Sequence, residues 1–422
     1  MLQFIRTFNM VIFWVITLTY LYQIVYLVVG LIMHHRKMHY VPKKLHRYAA
    51  IIAARNEEAV IGELLNTLNA QNYPKNLLDL YVIADNCTDD TAGVAKSCGA
   101  RVIVRNDTQK IGKGFALDYF FRQLEEQYDG YFVFDADNLV DPNFVMEMNK
   151  VFDRGYAAVT SYRNSKNYDT NWLTAGYSLW FLREACFLNQ PRMALGTNCA
   201  ISGTGFLISH KLIEKHNGWP FHLLTEDIQF SVVCAIAGDK IGYADAAVLY
   251  DEQPSKFRQS WNQRLRWSKG FYQVICKYFG KLVSGILRGK ENAFSCFDML
   301  MTVAPSIMLS LLCVVVNLVV LLLFAVDPVT WTSLRLYAET TQSLWTTVVS
   351  FYLVLLLYGG CTLVSEWKKI RCKAWKKLLF VFAFPVFLLT YIPISFAAMF
   401  QKVEWKPIQH SVTKTMEDMQ SE

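Results

Sequence analysis

Long uncharged apolar runs lie near both ends of the chain, and a region of mixed polarity lies between them. The first run covers residues 10–32 and is long enough to cross the roughly 30 Å hydrocarbon core of a bilayer as a helix. Two further runs, 306–325 and 344–364, predict two more spans. A fourth stretch, 378–400, is interrupted by prolines, which predicts a broken or re-entrant segment.

Basic clusters beside these runs predict the orientation of the chain. His-His-Arg-Lys at 34–37 follows the first run, and the segment 367–377 before the fourth run combines lysines with two tryptophans. Because positive charge beside a span marks the cytoplasmic side, we expect a multi-pass cell-membrane protein whose central region is cytoplasmic and whose N-terminus is outside. No small-residue cleavage site precedes the first cluster, which argues against a secretory signal peptide.

Composition agrees with a membrane protein and excludes other classes. Hydrophobic residues make up 53% of the 422 residues, and the formal net charge is +7. The basic residues concentrate beside the apolar runs, where they suit anionic lipid headgroups, so nucleic acid is not an expected partner. The ten cysteines are scattered without a CxxC pair, which argues against a zinc or thioredoxin-like site.

The central region, from residue 48 to about 250, alternates strand and helix patterns and predicts an α/β domain with a parallel or mixed sheet. Its predicted strands 48–54, 80–84 and 131–134 each stop at a polar cluster. In open α/β sheets ligands bind outside the carboxyl ends of strands, so the three clusters predict one site. The alternative is that each cluster only caps a following helix.

Asp135 and Asp137 follow the third of these strands. Two carboxylates so close together repel each other unless a cation accompanies them. Oxygen ligands completed by substrate phosphates are typical of Mg²⁺, and Mn²⁺ also suits carboxylate oxygens, so either ion is the expected cofactor.

Lysines and glycines in the segment 110–114 (Lys-Ile-Gly-Lys-Gly) precede a predicted helix and favour a phosphate contact. The spacing differs from the phosphate-binding loop of nucleotide hydrolases, and no dinucleotide fingerprint follows the first strand. Both the ATPase and the dehydrogenase interpretations are therefore disfavoured.

Further along, Ser-Gly-Thr-Gly at 202–205, Thr-Glu-Asp at 225–227 and Gln-Arg-Leu-Arg-Trp at 263–267 complete the polar motifs. On a helix Gln263, Arg266 and Trp267 share one face, which suits a phosphate and a flat ring. The opposite face, with Trp261 and Leu265, suits the membrane interface. An ordinary surface helix, and a simple helix cap at 226–227, remain the alternatives for these motifs.

In their order and spacing these motifs resemble the membrane-bound glycosyltransferases of family 2, which include the hyaluronan, chitin, cellulose and poly-N-acetylglucosamine synthases. The resemblance extends from residue 48 to about 278. It implies a Rossmann-like GT-A catalytic domain between N-terminal and C-terminal transmembrane helices. It divides the chain into an N-terminal span (1–38), the GT-A domain (39–250), interface helices (251–292), a C-terminal membrane region (293–400) and a tail (401–422).

The resemblance also implies residue roles. Donor binding is assigned to Ala53, Arg55, Glu57, Asp85, Lys113, Asp135, Gln263, Arg264 and Arg266. Of these, the first four surround the uridine and the last three hold the pyrophosphate, while Asp135 and Asp137 bind the metal. Acceptor binding is assigned to Gly203, Thr204, Gly205, Glu226 and Trp267. Asp227 is the expected general base.

These roles imply inverting transfer from a UDP-sugar, because one carboxylate base faces one leaving diphosphate. The preferred expectation is processive synthesis of an extracellular β-glycan, with glucose and N-acetylglucosamine both open as donor sugars. The membrane part is smaller than in the large synthases, so transfer to a lipid acceptor remains an alternative. A non-catalytic scaffold is a third interpretation, which the intact Asp137 and Asp227 oppose. The segment 404–410 resembles one that relatives keep beside the cytosolic site, and we expect the tail to be inside.

Overall fold

The computed structural model describes residues 2–34, 40–303, 305–326, 331–404 and 412–421. Most of the segment 404–410, singled out above, lies outside these ranges, as do residues 35–37 of the first basic cluster. The strands are β1 (Tyr48–Ala54), β2 (Leu78–Asp85), β3 (Arg101–Arg105), β4 (Gly130–Asp135), β5 (Leu139–Val140), β6 (Ala158–Ser165), β7 (Phe206–Ser209) and β8 (Ile241–Asp251). The three predicted strands are thus confirmed as β1, β2 and β4.

The described helices are α1 (Leu2–Tyr20), α2 (Tyr22–His34), α3 (Ile61–Asn69), α4 (Thr91–Ser97), α5 (Lys113–Gln123), α6 (Phe144–Phe152), α7 (Trp172–Glu184), α8 (Gln190–Ala194), α9 (His210–His216), α10 (Glu226–Ala237), α11 (Phe257–Leu287), α12 (Ala293–Val303), α13 (Pro305–Val326), α14 (Trp331–Ser365), α15 (Ala374–Leu389), α16 (Tyr391–Phe400) and α17 (Met416–Ser421). A short 3₁₀ turn covers Lys75–Leu77, and a π-helical turn covers Ala185–Asn189 between α7 and α8.

The eight strands form one mixed sheet in the order β3-β2-β1-β4-β7-β6-β8-β5. β1 is parallel to both β2 and β4, and β6 is parallel to β8, whereas β7 runs antiparallel to both of its neighbours. The central strand β1 is continuously apolar because helices cover both faces of the sheet. This GT-A-like sheet, flanked by an N-terminal and several C-terminal apolar helices, confirms the expected fold class.

Three helical stretches in the described part of the chain are long and apolar enough to cross a membrane: Gln3–His34, Leu334–Ser365 and Ala374–Phe400. The first contains the predicted run 10–32 with a break at Leu21, and the second contains the run 344–364. The predicted run 306–325 lies within α13. The fourth run is helical on both sides of Thr390, and Pro385 lies inside α15.

The apolar helices pack directly on the α/β domain. The π-helical turn meets α2, where a Cβ at Gly30 would lie 2.6 Å from the Cys186 carbonyl oxygen. Leu265 of α11 is buried against Ile394 and Ala398 of α16. The apolar face of α11, which the sequence pattern suited to the membrane interface, is therefore covered at this point by the C-terminal helix.

Candidate active site

Parallel strand pairing brings the polar strand ends together at one edge of the sheet. Ala53 on β1 is in register with Ile83 of β2 and with Asp135 of β4. Asp85, the last residue of β2, is in register with Arg105 of β3. The three clusters at 55–58, 85–90 and 135–137 therefore share an edge, as the strand-end pattern predicts.

Asp85 is buried beside a cation that the sequence motifs did not identify. Arg105 donates from Nη1 to Asp85 Oδ1 over 2.5 Å. Burial raises the pKa of Asp85, although Arg105 and, more weakly, Arg55 favour its ionised form. The adjoining loops are tied together, since the Glu57 amide donates to Thr91 Oγ1 over 2.9 Å. Arg55, Glu57 and Asp85 thus surround one corner of the site.

Lys113 joins two of the predicted motifs. Its ammonium lies 2.5 Å from Asp135 Oδ1 and donates to the Gly203 carbonyl oxygen over 2.8 Å. The lysine begins α5, where the free amides of the first helical turn also favour an anion. The predicted phosphate contact, the first aspartate and the glycine loop therefore meet at one place.

The two aspartates after β4 have different surroundings. The Asp135 side chain is 38% exposed, so the carboxylate can be reached by a ligand. Asp137 is buried, and its Oδ2 accepts a hydrogen bond from the Glu252 amide over 2.9 Å. Thr204 Oγ1 accepts from the Asp135 amide over 2.8 Å and also bonds Asn138. Thr204 thus fixes the turn that presents both carboxylates.

Asp135 and Asp137 are the described carboxylates that could hold the expected cation. In the described ranges, no group of three or more His, Cys, Asp and Glu side chains converges on a metal position. Two carboxylates fit a hard cation whose remaining ligands are diphosphate oxygens and water. The donor set therefore matches Mg²⁺ or Mn²⁺ bound together with a nucleotide.

The glycine loop allows close approach of the chain to the site. Gly205 has φ +64°, and a Cβ at this position would lie 1.8 Å from Leu249 Cδ2, so a side chain has no room. Gly203 has φ +80°, and a Cβ there would lie 3.7 Å from Arg163 Nη1 and 3.9 Å from Asp227 Oδ2. Gly203 therefore borders the same space as the expected base.

Glu226 and Asp227 form the first turn of α10, and the preceding Thr225 makes no side-chain cap hydrogen bond. Backbone amides of this turn favour the ionised form of Asp227, so the helix-cap alternative stays open beside the catalytic one. Burial raises the pKa of Glu226, and the charge of Asp227 raises it further. Burial likewise raises the pKa of Asp227, which Lys113 and Arg163 partly oppose. The carboxyls of Glu226 and Asp227 therefore both lie in a site with low solvent access.

α11 presents the predicted polar face to this space. A Cβ at Gly270 would lie 2.5 Å from the Thr225 side chain, so this face packs closely against the start of α10. Burial lowers the pKa of Arg266, while the carboxylates of Glu226 and Asp135 oppose that shift. The Trp267 ring makes edge contacts with Tyr177 and Phe181 at centroid distances of 5.8 and 6.2 Å.

Arg264 does not share that face. Its Nη1 donates to the Phe387 carbonyl oxygen over 3.0 Å and to Thr390 Oγ1 over 2.6 Å, and the residue is fully buried. The guanidinium therefore joins α11 to the end of α15. This placement does not fit the expectation that Arg264 holds the pyrophosphate. On the polar face of α11, which Arg264 does not share, Gln263 has a buried Oε1 with no hydrogen-bond partner among the described residues.

An ion pair between Arg163 and Asp251, which none of the sequence motifs contains, also borders the site. Arg163 bonds the Asp251 carboxylate, donates from Nη1 to the Ser202 carbonyl oxygen over 2.8 Å, and lies 3.7 Å from the Phe181 ring centroid. Burial raises the pKa of Asp251 to about 6, although Arg163 opposes this. Asp251 ends β8 as Asp85 ends β2, so the strand-end pattern contained a signal for it.

Comparison with known proteins places this site in a family. Residues 46–270 match the model described as "Glycosyltransferase like family 2". The beta-monoglucosyldiacylglycerol synthase of Synechocystis sp. is 26% identical over 235 residues, which cover 54% of this chain and 48% of the relative. The poly-beta-1,6-N-acetyl-D-glucosamine synthase of Staphylococcus aureus is 27% identical over 241 residues, covering 54% and 55%. The chain thus spans about half the length of these curated relatives.

A solved structure is also similar. The mannosyltransferase of Pyrobaculum calidifontis, solved in complex with GDP-Man and Mn²⁺, has a TM-score of 0.49 and 16% identity. The match covers 80% of this chain and 99% of that structure.

The family match covers more than half of the chain and contains the strand-end aspartates, the glycine loop and the start of α10. The chain belongs to glycosyltransferase family 2.

Proposed function

We propose that this enzyme transfers a sugar from a UDP-sugar, with inversion, to an acceptor held at the cytoplasmic face of a membrane. The observation that carries the proposal is the meeting of Asp135, Asp227 and Arg266 around the glycine loop. Lys113 contacts both Asp135 and Gly203, and Gly203 in turn borders Asp227. Two acids and two cations thus face one space where donor and acceptor can meet.

In this proposal the donor lies along the carboxyl edge of β1, β2 and β4. Ala53, Arg55 and Asp85 border the base and ribose, because they end the two strands nearest that corner. Lys113 and Arg266 face the diphosphate, and Gln263 supplies a buried amide on the same helix face. Fixed cations that face a departing diphosphate stabilise its developing charge.

Asp227 takes the proton from the attacking hydroxyl of the acceptor. A carboxyl whose pKa is raised by burial is a better base near neutral pH than an exposed one, and Asp227 has this property. Direct attack from this side inverts the anomeric carbon, so an α-linked donor gives a β-linked product. Glu226, Gly203 and Trp267 border the acceptor hydroxyl and ring.

Asp135 and Asp137 would hold Mg²⁺ or Mn²⁺ together with the donor diphosphate. The cation supplies charge stabilisation for the leaving diphosphate when it is bound. Asp137 is suited to act as a metal ligand with a fixed orientation, since the Glu252 amide orients its carboxylate. Asp135 is the more exposed of the two, so nucleotide and solvent can reach it.

We propose a growing β-glycan as the acceptor, extended processively. Tyr177, Phe181 and Trp267 form an aromatic cluster with Phe387 of α15, between the site and the apolar helices. Trp267 is only partly buried and offers a flat face to a sugar ring, while the buried Tyr177 and Phe181 rings hold it in position. The named activity of the staphylococcal relative supports this acceptor class.

A lipid acceptor is the second candidate. An open apolar groove of about 560 Å³ lies between α2 and α14 and is lined by Leu31, Leu356 and Gly360 among others. A lipid chain fits such a surface, and the named activity of the Synechocystis relative supports a glycolipid product. Both candidates place the acceptor at the membrane.

The proposed orientation has the catalytic domain and tail in the cytosol. Lys43, Lys44 and Arg47 precede β1 and favour that side. At the other end, the Val412 amide donates to Glu252 Oε2 over 2.9 Å, and Met419 packs beside Leu139. The described end of the tail therefore contacts the catalytic domain and belongs on its side of the membrane.

The experiment that tests this function is incubation of the detergent-solubilised enzyme with UDP-glucose, UDP-N-acetylglucosamine and related donors in Mg²⁺ or Mn²⁺. UDP release and product size are followed with and without added diacylglycerol. Long polymer from one donor supports the processive synthase. A short glycolipid that forms only with added lipid supports the second candidate. Failure to release UDP from every donor contradicts the proposed enzyme chemistry.

A further inference from the structure

Glu184 is an acidic side chain in the interior with no hydrogen bond or ion pair among the described residues. It is the last residue of α7 and is only half-buried, so its carboxyl is accessible from one side. A partly enclosed carboxyl that no described protein group satisfies is free to accept a hydrogen bond from a ligand.

The register of α7 aims this carboxyl at the acceptor space. Tyr177, Phe181 and Glu184 are spaced four and three residues apart and share one face of the helix. The first two rings contact Trp267, and the Phe181 ring also carries the Arg163 guanidinium. Glu184 is the next position along the same face.

Charged groups of the site act on Glu184 and agree with the direction that the register of α7 gives it. Burial raises the pKa of Glu184 to about 7, and the negative charge of Asp227 contributes to the rise. Arg192 and Arg163 act in the opposite direction without forming an ion pair with it. Two of these groups, Arg163 Nη1 and Asp227 Oδ2, lie within 4 Å of one point at Gly203, on the acceptor side of the site.

The backbone after Glu184 holds this position rigidly. α7 continues into the π-helical turn Ala185–Asn189, and turns of this kind occur often at functional sites. Asn189 exchanges two hydrogen bonds with the backbone of Ala200, at 2.9 and 3.0 Å. Ala200 leads directly into the glycine loop, so the turn that ends at Asn189 is fixed to the acceptor side of the site.

We propose that Glu184 is an acceptor-binding residue whose carboxylate accepts a hydrogen bond from an acceptor hydroxyl next to the one that Asp227 deprotonates. The inference rests on the proposed function and adds to it a polar contact that determines which polyhydroxyl acceptor fits. Glu184 takes no proton from the reacting hydroxyl in this scheme. It orients the acceptor through a neighbouring hydroxyl, as a sugar ring or a glycerol unit provides.

The test compares Glu184→Gln and Glu184→Asp with the wild-type enzyme in detergent. The probes are β-linked gluco- and N-acetylgluco-oligosaccharides and dioctanoylglycerol, each with the UDP-sugar that the wild-type enzyme uses. Three quantities are measured: the acceptor KM, the donor KM and the slow release of UDP in the absence of acceptor. Glu125→Gln makes the same chemical change at an exposed position and is the matched control.

Loss of a hydrogen bond to a charged group is expected to raise the acceptor KM of Glu184→Gln by about tenfold or more. Donor KM and acceptor-free UDP release remain as in the wild type, and Glu184→Asp restores part of the acceptor affinity. An unchanged acceptor KM overturns the inference. A higher KM for both acceptor and donor, slower acceptor-free UDP release and a lower Tm would together indicate a structural role for Glu184 and would also overturn the inference. Absence of transfer by the wild-type enzyme would instead contradict the proposed function.

Discussion

The Arg163 guanidinium donates from Nε to Asp251 Oδ2 over 2.7 Å. This ion pair joins the C-terminal ends of two parallel strands, β6 and β8, at the same edge of the sheet as Asp135. The same guanidinium reaches the Ser202 carbonyl oxygen, where the glycine loop begins. One buried ion pair therefore fixes the far half of the sheet to the loop that borders the acceptor.

Replacement of Arg163 by methionine is expected to destabilise the protein strongly. Asp251 would keep a buried carboxylate without its partner, and breaking a buried pair in this way costs about 3–5 kcal/mol. Thermal denaturation in detergent measures the effect as a lower Tm. Arg122→Met removes an exposed pair with Asp118 and serves as the control, with an expected change of about 0.5 kcal/mol or less. Equal Tm values for the two variants would contradict the structural role of Arg163.

Asp227→Asn is expected to abolish sugar transfer while leaving donor binding intact. The amide keeps the shape of the side chain but cannot accept the hydroxyl proton, and a general base contributes about 10²- to 10⁴-fold to the rate. Turnover and UDP affinity are measured on the same preparation. Glu226→Gln alters the neighbouring carboxyl and should retain more activity. Loss of UDP binding in Asp227→Asn, with transfer in the remaining fraction, would assign Asp227 to the donor site.

The pH dependence of transfer provides a separate test of the carboxyl pair. Burial raises the pKa of Asp227, and the base must be ionised to act. Activity should therefore fall on acidification at a pH above about 4, the ordinary range of an exposed carboxyl. The charge of Asp227 contributes to the raised pKa of Glu226, about 7, so Asp227 ionises first and Glu226 is still protonated where Asp227 titrates. Glu226→Gln should therefore leave the acid limb in place, and an acid limb that moves in this variant would assign the limb to Glu226.

Removal of divalent cations should stop UDP release. EDTA treatment followed by Mn²⁺ or Mg²⁺ tests this directly, and activity is expected to return with either ion. Asp137→Asn weakens an oxygen ligand and should raise the cation concentration needed for half-maximal activity. Asp141→Asn changes a nearby aspartate that lies beyond the strand end and serves as the control. Full activity of the wild-type enzyme in EDTA would contradict the proposed metal requirement.

The strand-end aspartates could be found from the sequence because parallel strands bring consecutive ends together. Asp85 and Asp135 follow short apolar runs whose lengths and order predict β2 and β4. Arg163 and Asp251 also lie near strand ends, but they are 88 residues apart in the chain, and the antiparallel strand β7 separates their strands from β4. Local patterns contain no information on that pairing, so their contact required the structure.

Helix geometry explains the other difference. Arg264 and Arg266 belong to one continuous motif, and the family resemblance assigned both to the pyrophosphate. A helix turns about 100° per residue, so side chains two positions apart point in nearly opposite directions. The periodicity had already placed Arg266 with Gln263 and Trp267 on one face, without Arg264. The structure agrees with the periodicity on this point, because Arg264 bonds the end of α15.

Because Arg264 and Arg266 lie on different faces of α11, the same substitution at the two arginines should have different effects. Arg264→Met removes the two buried hydrogen bonds from the guanidinium to the Phe387 carbonyl oxygen and to Thr390 Oγ1. The Phe387 carbonyl oxygen keeps the Thr390 hydroxyl as a donor, and a buried acceptor left without one costs about 1–3 kcal/mol. Its Tm should fall while the donor KM of the folded fraction changes little. Arg266→Met should leave Tm near the wild-type value and raise the donor KM by about tenfold or more, because a charged contact to the diphosphate is lost.

The comparison is made on the two purified variants in the same detergent, with Tm from thermal denaturation and donor KM from UDP release. Lys281→Met, at an exposed position on the same helix, controls for a general effect of removing positive charge from α11. Arg264 keeps α11 attached to the membrane helices, whereas Arg266 faces the donor. Tm should therefore fall in Arg264→Met, and the donor KM should rise in Arg266→Met. A raised donor KM in Arg264→Met at unchanged Tm would restore Arg264 to the pyrophosphate site.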